Sequence, residues 1–267
     1  MTDLKAIEEA FEAGDLKAWR AALAANVKAN PAKRSARLDF ADSLLVIGDY
    51  EKADTHYDLA AGEGPIAARA QLTQKLLRGL VERDAWWSDG AMPDLADEPS
   101  EGFKALIAAN IKLREGADDM SASFDAAEDA RGETLFSVND GPEVDVRDVD
   151  DRMASYLEII TPSGVYRMAP LTAVTSLVCL PIEHISDLVL RRAMLTLQSG
   201  QSGSVFIPMV YPHTADTVDV EKLARSTSWQ GESTPIIGHG HRCFLAGDDL
   251  ISLGEVSSLR KAGAADG

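Results

Sequence analysis

The sequence contains only two cysteines, Cys179 and Cys243, far apart in the chain. Two distant thiols are too few for a disulfide framework, so a reducing compartment and buried, unreactive thiols are the simpler expectation. Long apolar runs are missing as well. The strongest, Val174 to Ile182, is interrupted by Thr175, Ser176 and Pro181 and falls short of the roughly 18 residues that span a bilayer. The opening Met1-Thr2-Asp3-Leu4-Lys5 has neither the basic start nor the apolar stretch of a secretory signal, which leads to the expectation of a cytoplasmic protein. Positive charge is scarce: 26 Lys and Arg stand against 43 Asp and Glu, for a net charge of -17. The basic residues occur singly or in pairs such as Lys33-Arg34 and Arg191-Arg192, with no patch among them. Phosphate backbones and anionic lipid repel such a chain, so neither nucleic acid nor membrane is expected as a partner. There is no Walker loop and no dinucleotide fingerprint. Gly200-Gln201-Ser202-Gly203-Ser204 falls one residue short of the Gly-x-Ser-x-Gly elbow. No catalytic set and no cofactor is expected.

What is present is enough apolar side chain, 45% of 267 residues, for one large core or two ordinary ones. To about Arg131 the apolar residues recur at three- and four-residue spacing, the helical period. Leu4, Ile7, Ala10 and Phe11 form one stripe that stops at Gly14, and Asp15 caps a second carrying Leu16, Trp19, Leu23 and Val27 up to Asn30-Pro31. A third helix is expected from about Lys33 to Ile47. Gly14-Asp15 recurs as Gly48-Asp49 and Pro31 as Pro65, each 34 residues on, which is the tetratricopeptide period. In the second copy, small Ala53 and Ala60 allow two helices to approach while Tyr57 fills the gap between them. Helices are also expected from Pro65 to Arg83, around Phe103 to Leu113, and around Met120 to Ala130, with a loop over Ser88 to Gly102.

After Gly132 the vocabulary changes to short β-branched runs bounded by Gly, Pro, Asp and Ser. Strands are expected at Thr134–Val138, Val165–Met168, Val174–Leu180, Leu188–Ser199, Ser204–Ile207 and Arg242–Leu245, with helices at Val149–Ile160 and Val220–Ser226. The resulting expectation is an α+β chain: a tetratricopeptide-like helical domain over residues 1–131, a β-rich domain over 133–260 with a few short helices, and a flexible tail over 261–267.

Two clusters suggest chemistry. His239, His241 and Cys243 in Gly238-His239-Gly240-His241-Arg242-Cys243, joined by His213, offer zinc-ligand types and so an alternative reading as a metal-dependent hydrolase. Only one ligand pair of the usual two is present, and a glycine-rich turn entering a strand explains the segment more simply. Asp145, Asp148, Asp150 and Asp151 lack calcium-loop register. They read as helix caps, with Asp151 beside Arg152 as a local ion pair. The aromatics of the helical half are the remaining candidates for binding. Trp19 and Tyr57 belong in the core. Adjacent Trp86 and Trp87 cannot both face inward on a helix, so Trp86, Trp87 and Tyr50 are the candidate partner-binding residues.

The order of marks along the chain is informative. Asp150-Asp151-Arg152 is followed by Tyr156-Leu157-Glu158, Gly164-Val165-Tyr166-Arg167-Met168-Ala169-Pro170-Leu171, Ile185-Ser186-Asp187-Leu188, Phe206-Ile207-Pro208-Met209-Val210-Tyr211-Pro212, Thr227-Ser228-Trp229 and the Gly238 segment. This succession resembles the ImpE family, also called TagJ or SciE, accessory components of bacterial type VI secretion systems. The resemblance runs over nearly the whole chain. It departs at Val210 and Val189, where the family commonly has Arg and Trp. The resemblance implies a non-enzymatic role: binding the N-terminal helix of the small sheath subunit, and a link to the ring-shaped AAA+ ATPase that dismantles the contracted sheath. The groove is then expected on the helical half, with the β-rich half as a rigid support or a second docking face.

Overall fold

The computed structural model describes residues 4–263. Most of the tail expected over 261–267 lies outside the described residues. Five helices lead the chain: α1 (Leu4–Glu12), α2 (Leu16–Ala29), α3 (Arg34–Val46), α4 (Tyr50–Ala60) and α5 (Pro65–Asp89). The repeated Gly-Asp pair works the same way twice. Gly14 and Gly48 both take the left-handed conformation (φ 71 and 78), which a residue with a Cβ adopts only under strain. Asp15 and Asp49 then accept from the backbone N–H of Ala18 and Lys52 at 2.8 and 3.4 Å, supplying partners to the unpaired first turns of α2 and α4. Ala53 and Ala60 are fully buried between helices, and the Tyr57 hydroxyl donates to Asp42 of α3 at 2.8 Å.

Helix α5 starts on Pro65 and runs past Arg83 to Gly90, whose left-handed conformation ends it, so Trp86 and Trp87 lie within the helix. The loop after it is correspondingly shorter. It contains β1 (Asp94–Leu95) before α6 (Glu101–Glu115) and α7 (Met120–Arg131).

The rest is mostly strand: β2 (Leu135–Val138), β3 (Glu143–Asp148), β4 (Tyr156–Ile160), β5 (Tyr166–Pro170), β6 (Val174–Cys179), β7 (Leu190–Leu197) and β8 (Ser202–Pro208). A single-turn α8 (Asp219–Lys222) precedes β9 (Thr227–Gln230), β10 (Ile237–Gly240), β11 (Cys243–Ala246), β12 (Asp249–Ser252) and β13 (Ser258–Arg260). Eleven strands form one sheet in the order β1-β5-β4-β8-β7-β6-β13-β2-β3-β11-β12, with β9 and β10 as a separate antiparallel pair. Every pairing in the large sheet is antiparallel except β1 with β5.

The helix expected over Val149–Ile160 is instead a short 3-10 turn (Asp151–Met153) followed by strand β4. The reason is burial on both faces. Tyr156 and Ile160 pack into the cluster that contains Trp19, Leu44, Tyr57 and Leu80 of the helices, whereas Leu157 and Ile159 point into a second cluster with Leu177, Val205 and Ile207. A strand covered on both sides loses its apolar-polar alternation and cannot be told from a helix by period.

The sheet thus has two buried faces. One carries Tyr156, Ile160, Tyr166, Met168, Leu190 and Phe206 into a single core shared with the helices. Helix α5 is the element closest to this face. A Cβ on Gly79 would stand 2.5 Å from Cγ2 of Ile160, so the missing side chain sets how closely helix and sheet approach.

Candidate functional site

Residues one helical turn apart share a face, and on α5 this puts Arg83 and Trp87 toward the sheet. Glu158, at the middle of β4, meets them. Arg83 Nε and Nη2 donate to Glu158 Oε1 and Oε2, both at 2.9 Å. Trp87 Nε1 adds a bond at 3.1 Å and the Tyr166 hydroxyl one at 2.7 Å, both to Oε1. From the far side Arg242 Nη1 donates to Glu158 Oε2 at 3.1 Å, while its Nη2 reaches Asp148 Oδ2 at 2.7 Å. The Tyr211 hydroxyl and the backbone N–H of Asp150 then fill Asp148 Oδ1, each at 2.9 Å.

All the charged members of this chain of bonds are buried. Burial alone drives the Glu158 carboxyl upward, but the Arg83 and Arg242 guanidiniums outweigh it and hold the group at about 2. Burial likewise pushes Arg242 down, and Asp148 with Glu158 more than reverse this. With five donors on two oxygens, Glu158 has no lone pair to offer a substrate. The network joins α5 to β3, β4, β5 and the segment entering β11, and is a joint, not a reaction centre.

Next to the joint opens a cleft of about 420 Å³, lined among others by Tyr50, Arg83, Asp84, Trp87, Arg152 and His213. The Arg152 guanidinium lies 4.9 Å from the centre of the Trp87 ring and is anchored to Asp150 at 2.6 Å. His213 Nε2 is buried without a hydrogen-bond partner among the described residues. Burial, then the neighbouring Arg83 and Lys222 charges, lower its pKa to about 4, so the imidazole is neutral at neutral pH. Burial, then Asp84, raise the Tyr50 hydroxyl above its ordinary range.

The structure therefore brings two of the three sequence candidates, Tyr50 and Trp87, into one cleft. Trp86 is a correction. One position round the helix it is 1% exposed, with Arg114 stacked 4.9 Å from its ring and bonded to its carbonyl at 2.9 Å. It packs the back of α5 and is not available to a partner. Val189 and Val210, where the chain departs from the ImpE pattern, both lie in the cleft wall.

The His/Cys segment does not assemble into a ligand set. Among the described residues no group of three or more His, Cys, Asp or Glu is placed to hold a metal ion. His239 Nε2 bonds Gln230 at 3.2 Å and His241 Nε2 accepts from the N–H of Gly254 at 3.2 Å. Cys243 is buried, which raises its thiol pKa, and His213 belongs to the cleft. Gly240, at φ 81, breaks the alternation that would have aligned the three side chains.

The aspartates divide differently from the capping expectation. Asp150 caps the 3-10 turn, accepting from Arg152 N at 2.9 Å. Asp148 is the buried partner of Arg242, Asp145 pairs with Arg131 at 2.6 Å, and Asp151 pairs with Arg147 and not Arg152.

Sequence reasoning passed over Arg83, Glu158 and Arg242. The signal was present for Glu158, a lone charge in the buried run Tyr156-Leu157-Glu158-Ile159-Ile160, and for Arg242 beside buried Cys243 and Phe244, but not for Arg83, which stands between exposed Glu82 and Asp84. Such a position demands a buried partner.

Together these features define a class: an α+β protein whose helical layer is fastened to one face of a mostly antiparallel sheet by a saturated charge network, with an aromatic-walled cleft beside the seam. Residues 140–260 match the family model described as ImpE protein. Over that stretch the chain is similar to the ImpE family. It is 25% identical over 258 residues, 94% of this chain and 89% of the relative, to the type VI secretion system accessory component TagJ of Pseudomonas aeruginosa. The crystal structure of protein VPA1032 from Vibrio parahaemolyticus matches the fold with a TM-score of 0.83 at 25% identity, over 95% of this chain and 96% of that one. No helix among the described residues is long and apolar enough to cross a membrane.

Proposed function

We propose that this protein is a non-enzymatic accessory component of a type VI secretion system. In this reading the helical layer, a tetratricopeptide-like stack, receives the N-terminal helix of the small sheath subunit at the Tyr50–Trp87 cleft and so assists disassembly of the sheath by its AAA+ ATPase in the cytoplasm. The observation that carries it is the cleft itself: two aromatic side chains at the seam between the helices and the sheet, beside a buried charge network that holds its walls in place. A relative named as an accessory component of that machine, aligned along nearly the whole chain, supports it.

The physics suits an amphipathic helix, which lays apolar anchors at i, i+3, i+4 and i+7 into such a groove while the rigid joint beneath keeps the walls preorganised. The test is calorimetric titration with a peptide of the first twenty or so residues of the cognate small sheath subunit, a helix about 30 Å long. Micromolar or tighter binding is expected, near 8 kcal/mol. Trp87→Ala should weaken it roughly tenfold or more. Absence of binding, or a crosslinked helix found only away from the cleft on residues 133–267, overturns the proposal.

A further inference from the structure

The joint beside the cleft leaves donors over. Arg83 spends Nε and Nη2 on Glu158 and, through Nη2, on the carbonyl of Val210 at 3.0 Å. Arg152 spends Nε and Nη2 on Asp150. Neither Nη1 makes a hydrogen bond to another described residue, and both guanidiniums line the cleft. His213 Nε2 is likewise unpaired among the described residues, and the Tyr50 side chain lines the same cleft.

A guanidinium nitrogen cannot accept a hydrogen bond, a tyrosine hydroxyl donates readily, and a neutral imidazole donates from whichever nitrogen holds the proton. The unspent groups therefore call for an occupant that brings acceptor oxygens. Two guanidiniums favour a planar, doubly accepting anion, and the Trp87 and Tyr50 rings with Leu80 and Val189 give it an apolar wall.

We propose that the Tyr50–Trp87 cleft is a carboxylate-binding site that receives an acid group carried on an apolar body, the acid lying against Arg83 Nη1 and Arg152 Nη1 and the body against the two rings. Glu158 and Asp150 already balance the charges of Arg83 and Arg152, so the acid is held through the unspent N–H groups and not through a net positive field. Asp84 is the sole acidic residue lining the cleft itself. The proposal shares its cleft with the function proposed above but does not depend on the sheath subunit. If the sheath peptide fails to bind, the carboxylate probes still report, and the reverse also holds.

The probes are N-acetyl-leucine, its uncharged amide, inorganic phosphate, and a pentapeptide ending in a free leucine carboxylate. Each is titrated into the full chain by NMR, with the Tyr50, Trp87 and His213 ring signals as reporters. N-acetyl-leucine is expected to shift these signals, and the amide to bind at least roughly tenfold more weakly. Asp84 is exposed and outside the joint, so Asp84→Asn should fold normally and strengthen carboxylate binding several-fold by removing a like charge. Tyr50→Phe should weaken it. A pentapeptide roughly tenfold tighter than the free amino acid identifies a chain terminus as the natural source; equal affinities identify a small free acid. Either result supports the site. Equal binding of acid and amide, binding of phosphate in preference to the carboxylate, shifts confined to residues away from the cleft, or weaker carboxylate binding by Asp84→Asn overturns it.

Discussion

Glu158 stands where α5, β4, β5 and the Arg242 segment meet, and it is ionised there only because two guanidiniums flank it. Removing its charge leaves Arg83 and Arg242 buried with one carboxylate between them, and an unpaired buried charge is the costly part of breaking such a pair. Glu158→Gln is expected to lower unfolding stability by about 3–5 kcal/mol in urea titrations. The same carboxyl sets a pH dependence. Its folded pKa, about 2, lies below the ordinary glutamate value, so its contribution is complete above that ordinary value and is lost as pH falls through it toward 2. The wild type should lose stability over that acid window, and Glu158→Gln should lose less, as read from the midpoint of thermal unfolding at each pH. A variant as stable as the wild type would mean the joint holds nothing. Tyr50 and Trp87 were readable as candidates because they are large amphipathic side chains of the helical half, and because adjacent Trp86 and Trp87 cannot both face inward on one helix. The sequence did not reveal that Trp86 faces the interior, since the inward face of α5 depends on where α6 and the sheet lie.

At the scale of elements, the helices of the first half were legible apart from the end of α5, which runs on to Asp89. Gly-Asp pairs, Asn30-Pro31 and the three-four spacing are local signals, and they operate through local bonds such as Asp15 to Ala18. Strands that pair in hairpins, β7 with β8 among them, were legible for the same reason. Strand β4 was not, because its period is erased by burial on both faces, and the short β1 is defined only by its partner β5. The fit of α5 on β4 is also a matter between elements. With the Gly79 Cβ position 2.5 Å from Ile160 Cγ2, Gly79→Ala should overpack the contact and cost about 1–3 kcal/mol. In an Ile160→Ala background, which lacks that Cγ2, the same substitution should cost less, as a double-mutant cycle in urea would show. Additive effects of the two substitutions would rule out this contact as the cause.

For the whole molecule the decisive fact is that one core runs from Trp19 and Leu44 through Leu80 to Tyr156, Tyr166 and Phe206, with the Glu158 joint at its centre. Elements that share a core and a buried ion network lose their partners together. We therefore expect one thermal transition, with far-UV ellipticity, dominated by helix, and tyrosine and tryptophan signals from both halves falling at the same midpoint. Two separated transitions, one for residues 1–131 and one for the remainder, would show that the halves are independent. By itself the sequence determined what neighbours along the chain settle between them: an α+β composition, the capped helix starts of the first half, the acidic surface and the family pattern. Only the tertiary structure decided which charges became a joint, which tryptophan of the pair lines the cleft, and that Tyr50 and His213 share it. Those outcomes depend on side chains brought together from distant parts of the chain, where burial and pairing act on residues that no local spacing connects.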